Sequence, residues 1–402
     1  MSDRRILALA PQPFFQARGT PYSVYYRSLT MAELGARIDL LTYGEGDDVD
    51  MPGVRHIRLP HPPFLGPVPI GPSGSKVLLD LLMIWVFLRC LFTESYDVVH
   101  AHEESVFFAA LFKPLFGYRL VYDMHSSLPQ QLRNFRFSRS PFLIGIFERL
   151  ERFSLARADV VVTVCPALAR YAEQNMPEPR RQIMIENSRF EPVRTVVSDS
   201  GGPRTSDGAE TAAMPASVEL PAGRRIIFYA GSFEAYQGLD LLVEAVADLR
   251  RTHDDVTLVA AGGSEPQVEA LREVARRFGV LDDCLFPGSL PQREIRRLLP
   301  RADLLVSSRV TGTNTPLKVY EQLASGVPLV ATNIVAHTQV IDDSIAFLVD
   351  PTPAALAEGF RTVLDDPAEA GRRTSAALER SKRNHSTAAF RRKTAELMDR
   401  LR

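Results

Sequence analysis

The sequence predicts an α/β protein built from two doubly wound domains, each a parallel sheet covered by helices. Three observations lead there. Strand-like runs alternate with helical patterns in two separate series. Most of those runs are continuously apolar, as strands buried on both faces are. A stretch without periodicity, Ser198–Gly223, rich in Gly, Ser, Pro and Ala, separates the two series and reads as a flexible linker. Strand–helix alternation of this kind forms parallel sheets.

The first series contains RRILALA (Arg4–Ala10), IDLLTY (Ile38–Tyr43), DVVHAH (Asp97–His102), RLVYDMH (Arg119–His125), DVVVTV (Asp159–Val164) and IMIEN (Ile183–Asn187). The second contains RIIFYAG (Arg225–Gly231), VTLVAAGG (Val256–Gly263), DLLVSS (Asp303–Ser308), PLVAT (Pro328–Thr332) and AFLVD (Ala346–Asp350). This sets domains at 1–197 and 224–385, with 198–223 between them. The last segment, STAAFRRKTAELMDRLR (386–402), is an amphipathic helix: Phe390, Leu397 and Leu401 share a stripe from which Arg391, Glu396 and Arg400 are absent. No strand follows it, so its partner lies outside its own sheet.

Composition narrows the function classes. The 402 residues carry a formal net charge of −1, which argues against nucleic acid as the main partner. Cys90, Cys165 and Cys284 form no metal or redox spacing and suit a reducing, cytoplasmic compartment. The N-terminus has no apolar run of signal-peptide length. VLLDLLMIWVFLRCLF, Val77–Phe92, is too short to span a bilayer and is interrupted by Asp80 and Arg89; it reads as a core helix. Arg133–Phe153 mixes arginines with Phe142, Leu143, Phe147 and Leu150. It suits a contact with the anionic inner face of the plasma membrane as well as it suits a core helix.

Parallel α/β sheets bind ligands at the carboxyl ends of their strands. Neither G-x-G-x-x-G at a strand–helix turn nor G-x-x-x-x-G-K-[ST] is present, and H-E-x-x-H, C-x-x-C and G-x-S-x-G are also missing. What stands at a strand end is TGTNTPLKVYEQLASGVPLVAT, Thr311–Thr332. Thr315 suits an N-cap, Pro316 a first helical position and Gly326 a stop, so a helix is predicted over 316–325. Lys318 falls in its first turn, where a cation costs about 0.3–1 kcal/mol. It is also one of only five lysines among 47 basic residues. An anion resting on the free N–H groups of the helix start explains it, and Arg309 would add a second charge. Glu321, one turn on, is placed to accept hydrogen bonds from two ribose hydroxyls. The segment reads as a nucleoside diphosphate site; the alternative is a surface Lys318–Glu321 ion pair.

Together these segments resemble the retaining, nucleotide-sugar-dependent glycosyltransferases of the GT-B fold, in the large family 4 group. The resemblance rests on DVVHAH, the strand ending in His125, ADVVVTVCPALARY, YAGSFEAYQGLDLLVEA and SSRVTGTNTPLKVYEQLASGVPLVAT. It implies two Rossmann-like domains facing a central cleft, with the last helix crossing back to the N-terminal domain. It also implies transfer of a sugar from a nucleoside-diphosphate sugar to a saccharide or lipid-linked acceptor, without a cofactor or metal, in polysaccharide or glycolipid synthesis. By the same resemblance Glu321 holds the donor ribose as the second acid of the E-x7-E motif. Lys318 and the loop Gly312–Pro316, with Asn314, Thr315, Pro316 and the following Leu317, contact the diphosphate and sugar. Gly231 and Ser232 form the turn at the phosphates, and His125 reaches the sugar. The loop Ala17–Ser23, with Gly19 and Thr20, closes over donor and acceptor. The first acid of the motif is replaced by Thr313, and the usual basic pair of the glycine turn by Ser232 and Gln237, which leaves phosphate neutralisation to Arg309 and Lys318. Glu103 and Glu104 are acceptor candidates or else a solvated helix start. A nucleotide-sugar epimerase and a non-catalytic nucleotide-sugar-binding protein of the same fold are the alternative functions.

Overall fold

The computed structural model describes residues 4–16, 19–62, 65, 66, 68, 74–127, 129, 141–189, 191, 193–195, 204, 205 and 218–402. Much of the expected linker, together with Arg133, Arg136, Arg139, Ala17 and Arg18, lies outside them. The chain divides into two compact units: Met1–Arg189 with Val193–Ser206 and Phe390–Arg402, and Asp207–Ala389 with Phe190–Pro192.

In the first unit seven parallel strands lie in the order β3-β2-β1-β4-β5-β6-β7: β1 (Arg5–Ala10), β2 (Arg37–Thr42), β3 (Val54–Arg58), β4 (Val98–His102), β5 (Arg119–Met124), β6 (Val160–Thr163) and β7 (Gln182–Met184). The central strands are buried along nearly their whole length, which is why they read as unbroken apolar runs. β3 was not predicted: as an edge strand it is only partly buried, and VRHIR carries the polar side chains an edge tolerates. On one face of the sheet lie α2 (Gly74–Thr93), α3 (Ser105–Phe116), α4 (Pro141–Arg157) and α5 (Pro166–Asn175). On the other lie α1 (Gly19–Glu33) and the C-terminal helix α13 (Thr387–Arg400).

The helix expected over Val77–Phe92 forms and packs on the core of the first unit along one side only. α2 buries only Leu79, Met83 and Phe87, one residue per turn. Its remaining apolar side chains are half-buried or face outward.

The last helix does pack against the first unit. Phe390, Leu397 and Leu401 are buried with Ile6, Ile38 and Ile185; each such side chain contributes about 1.5–3 kcal/mol by leaving water. Off-stripe residues fix the register: Arg391 pairs with Glu33 at 3.2 Å, Lys393 with Glu186, and Arg400 donates to the carbonyls of Arg180 and Gln182.

The second unit repeats the plan with six parallel strands: β8 (Arg225–Ala230), β9 (Val256–Ala261), β10 (Cys284–Gly288), β11 (Leu304–Ser307), β12 (Leu329–Thr332) and β13 (Phe347–Val349). They lie in the order β10-β9-β8-β11-β12-β13. Between and around them run α6 (Leu239–Leu249), α7 (Glu265–Phe278), α8 (Gln292–Leu298), α9 (Leu317–Leu323), α10 (Val335–Thr338), α11 (Pro353–Asp365) and α12 (Pro367–Asn384). Two apolar cores cover the two faces of this sheet.

Candidate functional site

In the second unit the strand order reverses between β8 and β11, and such a switch point is where open α/β sheets hold ligands. β8 delivers Gly231 and Ser232; β11 delivers the loop that leads into α9. The turn after β8 is crowded. A Cβ on Gly262, at the end of β9, would lie 1.8 Å from the carbonyl oxygen of Gly231, and Gly262 has φ +133°, so only glycine permits this approach.

Lys318 points into that turn. Its Nζ lies 3.9 Å from the centre of the Tyr229 ring and 3.4 Å from where a Cβ on Gly231 would stand. The residue as a whole is half-buried, but the ammonium itself is shut off from solvent and has no hydrogen-bond partner. Burial, and then the charge of Arg309, bring Lys318 down to about 7. The ring face offers some compensation, and Tyr229 is itself fixed by donating to the Ser232 carbonyl at 2.8 Å. Ser232 is exposed.

Arg309 shapes the loop. Its Nε donates to the carbonyl of Thr311 at 2.7 Å and its Nη1 to that of Asn314 at 3.3 Å, while its guanidinium lies over the Tyr236 ring. A Cβ on Gly312 would fall 2.3 Å from Nη2, so the glycine admits the arginine. His337, buried behind the loop, is held by Ser307 and Thr332. Burial first, with Lys318 and Arg309, lowers it to about 4, so it stays neutral and adds no charge.

The helix differs from its prediction. It runs Leu317–Leu323, not 316–325, and Pro316 takes the cap position with an extended ψ of 135°. Thr315 therefore stands one residue too early to cap; its buried hydroxyl has no partner. Glu321 does not meet Lys318. Its carboxylate accepts from Gln292 Nε2 at 3.0 and 3.1 Å and from Arg296 Nε at 3.2 Å, so α8 holds it in place. Nothing in the sequence marked Gln292 or Arg296, because the contact joins two helices separated by a strand.

The first unit gathers a second group. β4 and β5 pair in parallel with His100 beside Val121 and His102 beside Asp123. Alternation puts His100 and His102 on one face, and Asp123 and His125 beside them. His100 Nε2 lies 3.0 Å from Asp123 Oδ2, His102 Nδ1 lies 3.1 Å from His125 Nε2, and His125 Nε2 lies 3.4 Å from Asp123 Oδ1. From α1, the fully buried Arg27 brings Nε to 3.3 Å from Asp123 Oδ2. Burial raises the Asp123 carboxyl, but Arg27 and the histidines outweigh it and hold it well below the usual range. Burial lowers both His125 and His102, so both are neutral near pH 7.

His100, His102 and Asp123 offer the donor atoms of a metal site, a juxtaposition that spacing along the chain did not show. Two facts of the structure fit a metal poorly. Arg27 already compensates the carboxylate, and His100 Nδ1 and His102 Nε2 lack the outer partners that ligating imidazoles normally keep.

Glu103 and Glu104 follow β4, Glu104 at the cap position of α3, and both are half-buried. Glu103 has φ +50° and accepts from Ser126 Oγ at 2.9 Å. Burial, then Glu104, raise it to about 8; burial raises Glu104 as well. Asp80, held by Tyr43 at 2.6 Å, is raised to about 7 by burial and then by Glu104. Gly19 and Thr20 were expected in a closing loop. They form the first residues of α1 instead, because Thr20-Pro21 places proline where a helix start accepts it.

Comparison with known proteins agrees with this architecture. The chain matches the glycosyl transferases group 1 family over residues 211–381 and the glycosyl transferase 4-like domain over residues 24–188. A glycogen synthase of Mycobacterium tuberculosis is 36% identical over 179 residues, 43% of this chain and 42% of that protein, so the match spans less than half the relative's length. Among solved structures, sucrose-phosphate synthase from Thermosynechococcus elongatus superposes with a TM-score of 0.75 at 20% identity, over 99% of both chains. The Anabaena protein Alr3699/HepE in complex with UDP does so with a TM-score of 0.70 at 16% identity, over 98% of this chain and 99% of that one. Two Rossmann-like units, a helix returning to the first, and one family match in each unit lead to one conclusion: the chain belongs to the group 1 glycosyl transferases and has the GT-B fold.

Proposed function

We propose that this protein transfers a sugar from a nucleoside-diphosphate sugar to an acceptor hydroxyl with retention of configuration. The observation that carries the reading is the ammonium of Lys318, enclosed without an anion at the switch point of the second sheet. A buried cation is costly unless something neutralises it, and a diphosphate supplies the missing charge. Arg309 adds to the field, the Gly231–Ser232 turn and the loop Asn314–Pro316 shape the hollow, and Glu321 receives the ribose. The UDP bound to the Anabaena protein makes UDP the first nucleotide to test.

In the reaction the bond from the anomeric carbon to the diphosphate breaks and a bond to the acceptor oxygen forms, through an oxocarbenium-like transition state. The acceptor's proton passes to the departing diphosphate on the same face. Lys318 and Arg309 stabilise the charge that develops there, which is how this site would work without a metal. His125, neutral and oriented by His102 and Asp123, is assigned to the sugar. Glu103 and Glu104 are assigned to the acceptor, a saccharide or lipid-linked saccharide of polysaccharide or glycolipid synthesis.

The test is incubation with labelled nucleotide sugars. Transfer or slow donor hydrolysis, lost in Lys318→Ala and Glu321→Ala without loss of folding, is the expected result. An epimerised donor would replace the reading with an isomerase, binding alone with a sensor, and unaltered donor affinity in both variants would remove the site assignment.

A further inference from the structure

Seven of the twelve large apolar side chains exposed among the described residues lie on α2 and α3, so they are concentrated and not scattered. Val77, Leu81, Trp85 and Phe92 fall on one side of α2, opposite the buried stripe of Leu79, Met83 and Phe87. Leu111 and Leu115 fall on one side of α3. These six are between 58% and 75% exposed. Phe92 meets Phe116 edge-on at 5.2 Å, which joins the two stripes into one surface. Contiguous exposed apolar area of this kind marks an interaction site.

The charges around it point to the occupant. α2, α3 and α4 pack against the same core, so their outer sides share a surface. Asp80, the only acid on α2, is turned inward to Tyr43, and α3 contains no acid at all. The exposed charges on these helices are chiefly arginines: Arg89 beside Trp85, and Arg149, Arg152 and Arg157 on α4. Of the two acids on α4, Glu151 is buried. A tryptophan and phenylalanine face rimmed by arginine matches the boundary between headgroups and acyl chains of an anionic bilayer. No helix among the described residues is long and apolar enough to cross a membrane, so the contact lies on the surface.

We propose that the outer face of α2 and α3 docks the protein onto an anionic lipid surface, with Leu81, Trp85 and Leu115 entering the interface. The inference places the contact on a different segment from Arg133–Phe153, and it does not rest on the sugar-transfer reading.

Trp85 is the only tryptophan in the chain, so its fluorescence reports from the middle of the proposed face. Added vesicles of phosphatidylglycerol with phosphatidylcholine should shift its emission to shorter wavelength, and vesicles of phosphatidylcholine alone should do so much less. In Leu81→Glu/Leu115→Glu, binding to the anionic vesicles should fall at least about tenfold with an unchanged melting temperature. Unchanged UDP affinity in that variant would keep the two proposals separate. An unshifted emission with anionic vesicles overturns the inference, and equal shifts with both vesicles overturn its electrostatic half. A wild-type dimer that the double variant dissociates would mean that a second copy of the chain covers this face.

Discussion

Replacing Lys318 with methionine tests the central electrostatic claim. The unfolded lysine keeps its proton up to about 10.5, the folded one only to about 7. Between those values the unfolded chain binds more protons, so stability rises with pH across that window. Below it both states are charged and the full cost of burying the ammonium applies. At 1.36 kcal/mol per pH unit the gap is on the order of 5 kcal/mol. That is an upper limit, since the Tyr229 face and structural relaxation recover part of it. Lys318→Met should therefore stabilise the ligand-free protein at pH 6 by about 2 kcal/mol, a rise on the order of 5 °C in melting temperature. At pH 10 the gain should nearly vanish. The wild type should also gain about 2.7 kcal/mol from UDP at a hundred times its dissociation constant, and the variant far less. At pH 8, calorimetry in buffers of different ionisation enthalpy should show the wild type taking up about one proton with UDP, as the diphosphate restores the lysine's proton. A variant that melts no higher than wild type at pH 6, or that takes up the same proton, refutes the reasoning.

Three further outcomes are expected. Asp123→Asn strands the buried guanidinium of Arg27, so chemical denaturation should show a loss of about 3–5 kcal/mol. Glu103→Gln should matter more in alkali. A carboxyl raised to about 8 is protonated in the folded state while ionised in the unfolded one between about 4.5 and 8, so stability falls as pH rises through that window; the variant's melting temperature should exceed wild type at pH 8 and match it near pH 4. Phe390→Ala removes a side chain 1% exposed that packs under Arg27, and thermal melts should report a loss of about 3–5 kcal/mol; limited proteolysis should then release the C-terminal helix first.

The strands were legible because burial on both faces leaves an unbroken apolar word, and the exceptions confirm the reason. β3 and β10 sit at sheet edges, where VRHIR and CLFPG need no such run. The amphipathic stripe of Phe390, Leu397 and Leu401 was enough to send the last helix to another core. α2 shows that an apolar sequence reports hydrophobicity and not direction: five of its fourteen apolar side chains, Val77, Leu78, Leu81, Trp85 and Phe92, face outward. At the site, Lys318 stood out as a cation where a helix start disfavours one. The partners of Glu321 and the Arg27–Asp123 pair could not be read, since each joins elements far apart in the chain. The histidines were visible singly, but their meeting with Asp123 depends on the β4–β5 register.

The two units handle buried charge in opposite ways, and the contrast indicates where ligand binding energy is generated. In the first, Arg27 and Asp123 neutralise one another and burial holds the imidazoles of His102 and His125 neutral, so the charge of the group is balanced within the protein. Such a cluster is suited to orienting His125, because no outside ion is needed to keep its geometry. In the second, Lys318 and Arg309 face each other's charge, neither is ion-paired with a carboxylate among the described residues, and Glu321 is tied to Gln292 and Arg296. Had Glu321 turned toward Lys318, the pair would have been satisfied and a diphosphate would have had to displace it. By engaging Glu321 elsewhere, the fold leaves the cation unanswered. An arriving anion then relieves a strain already present, so affinity for the diphosphate and instability of the empty site should rise and fall together across variants of Gln292 and Arg296.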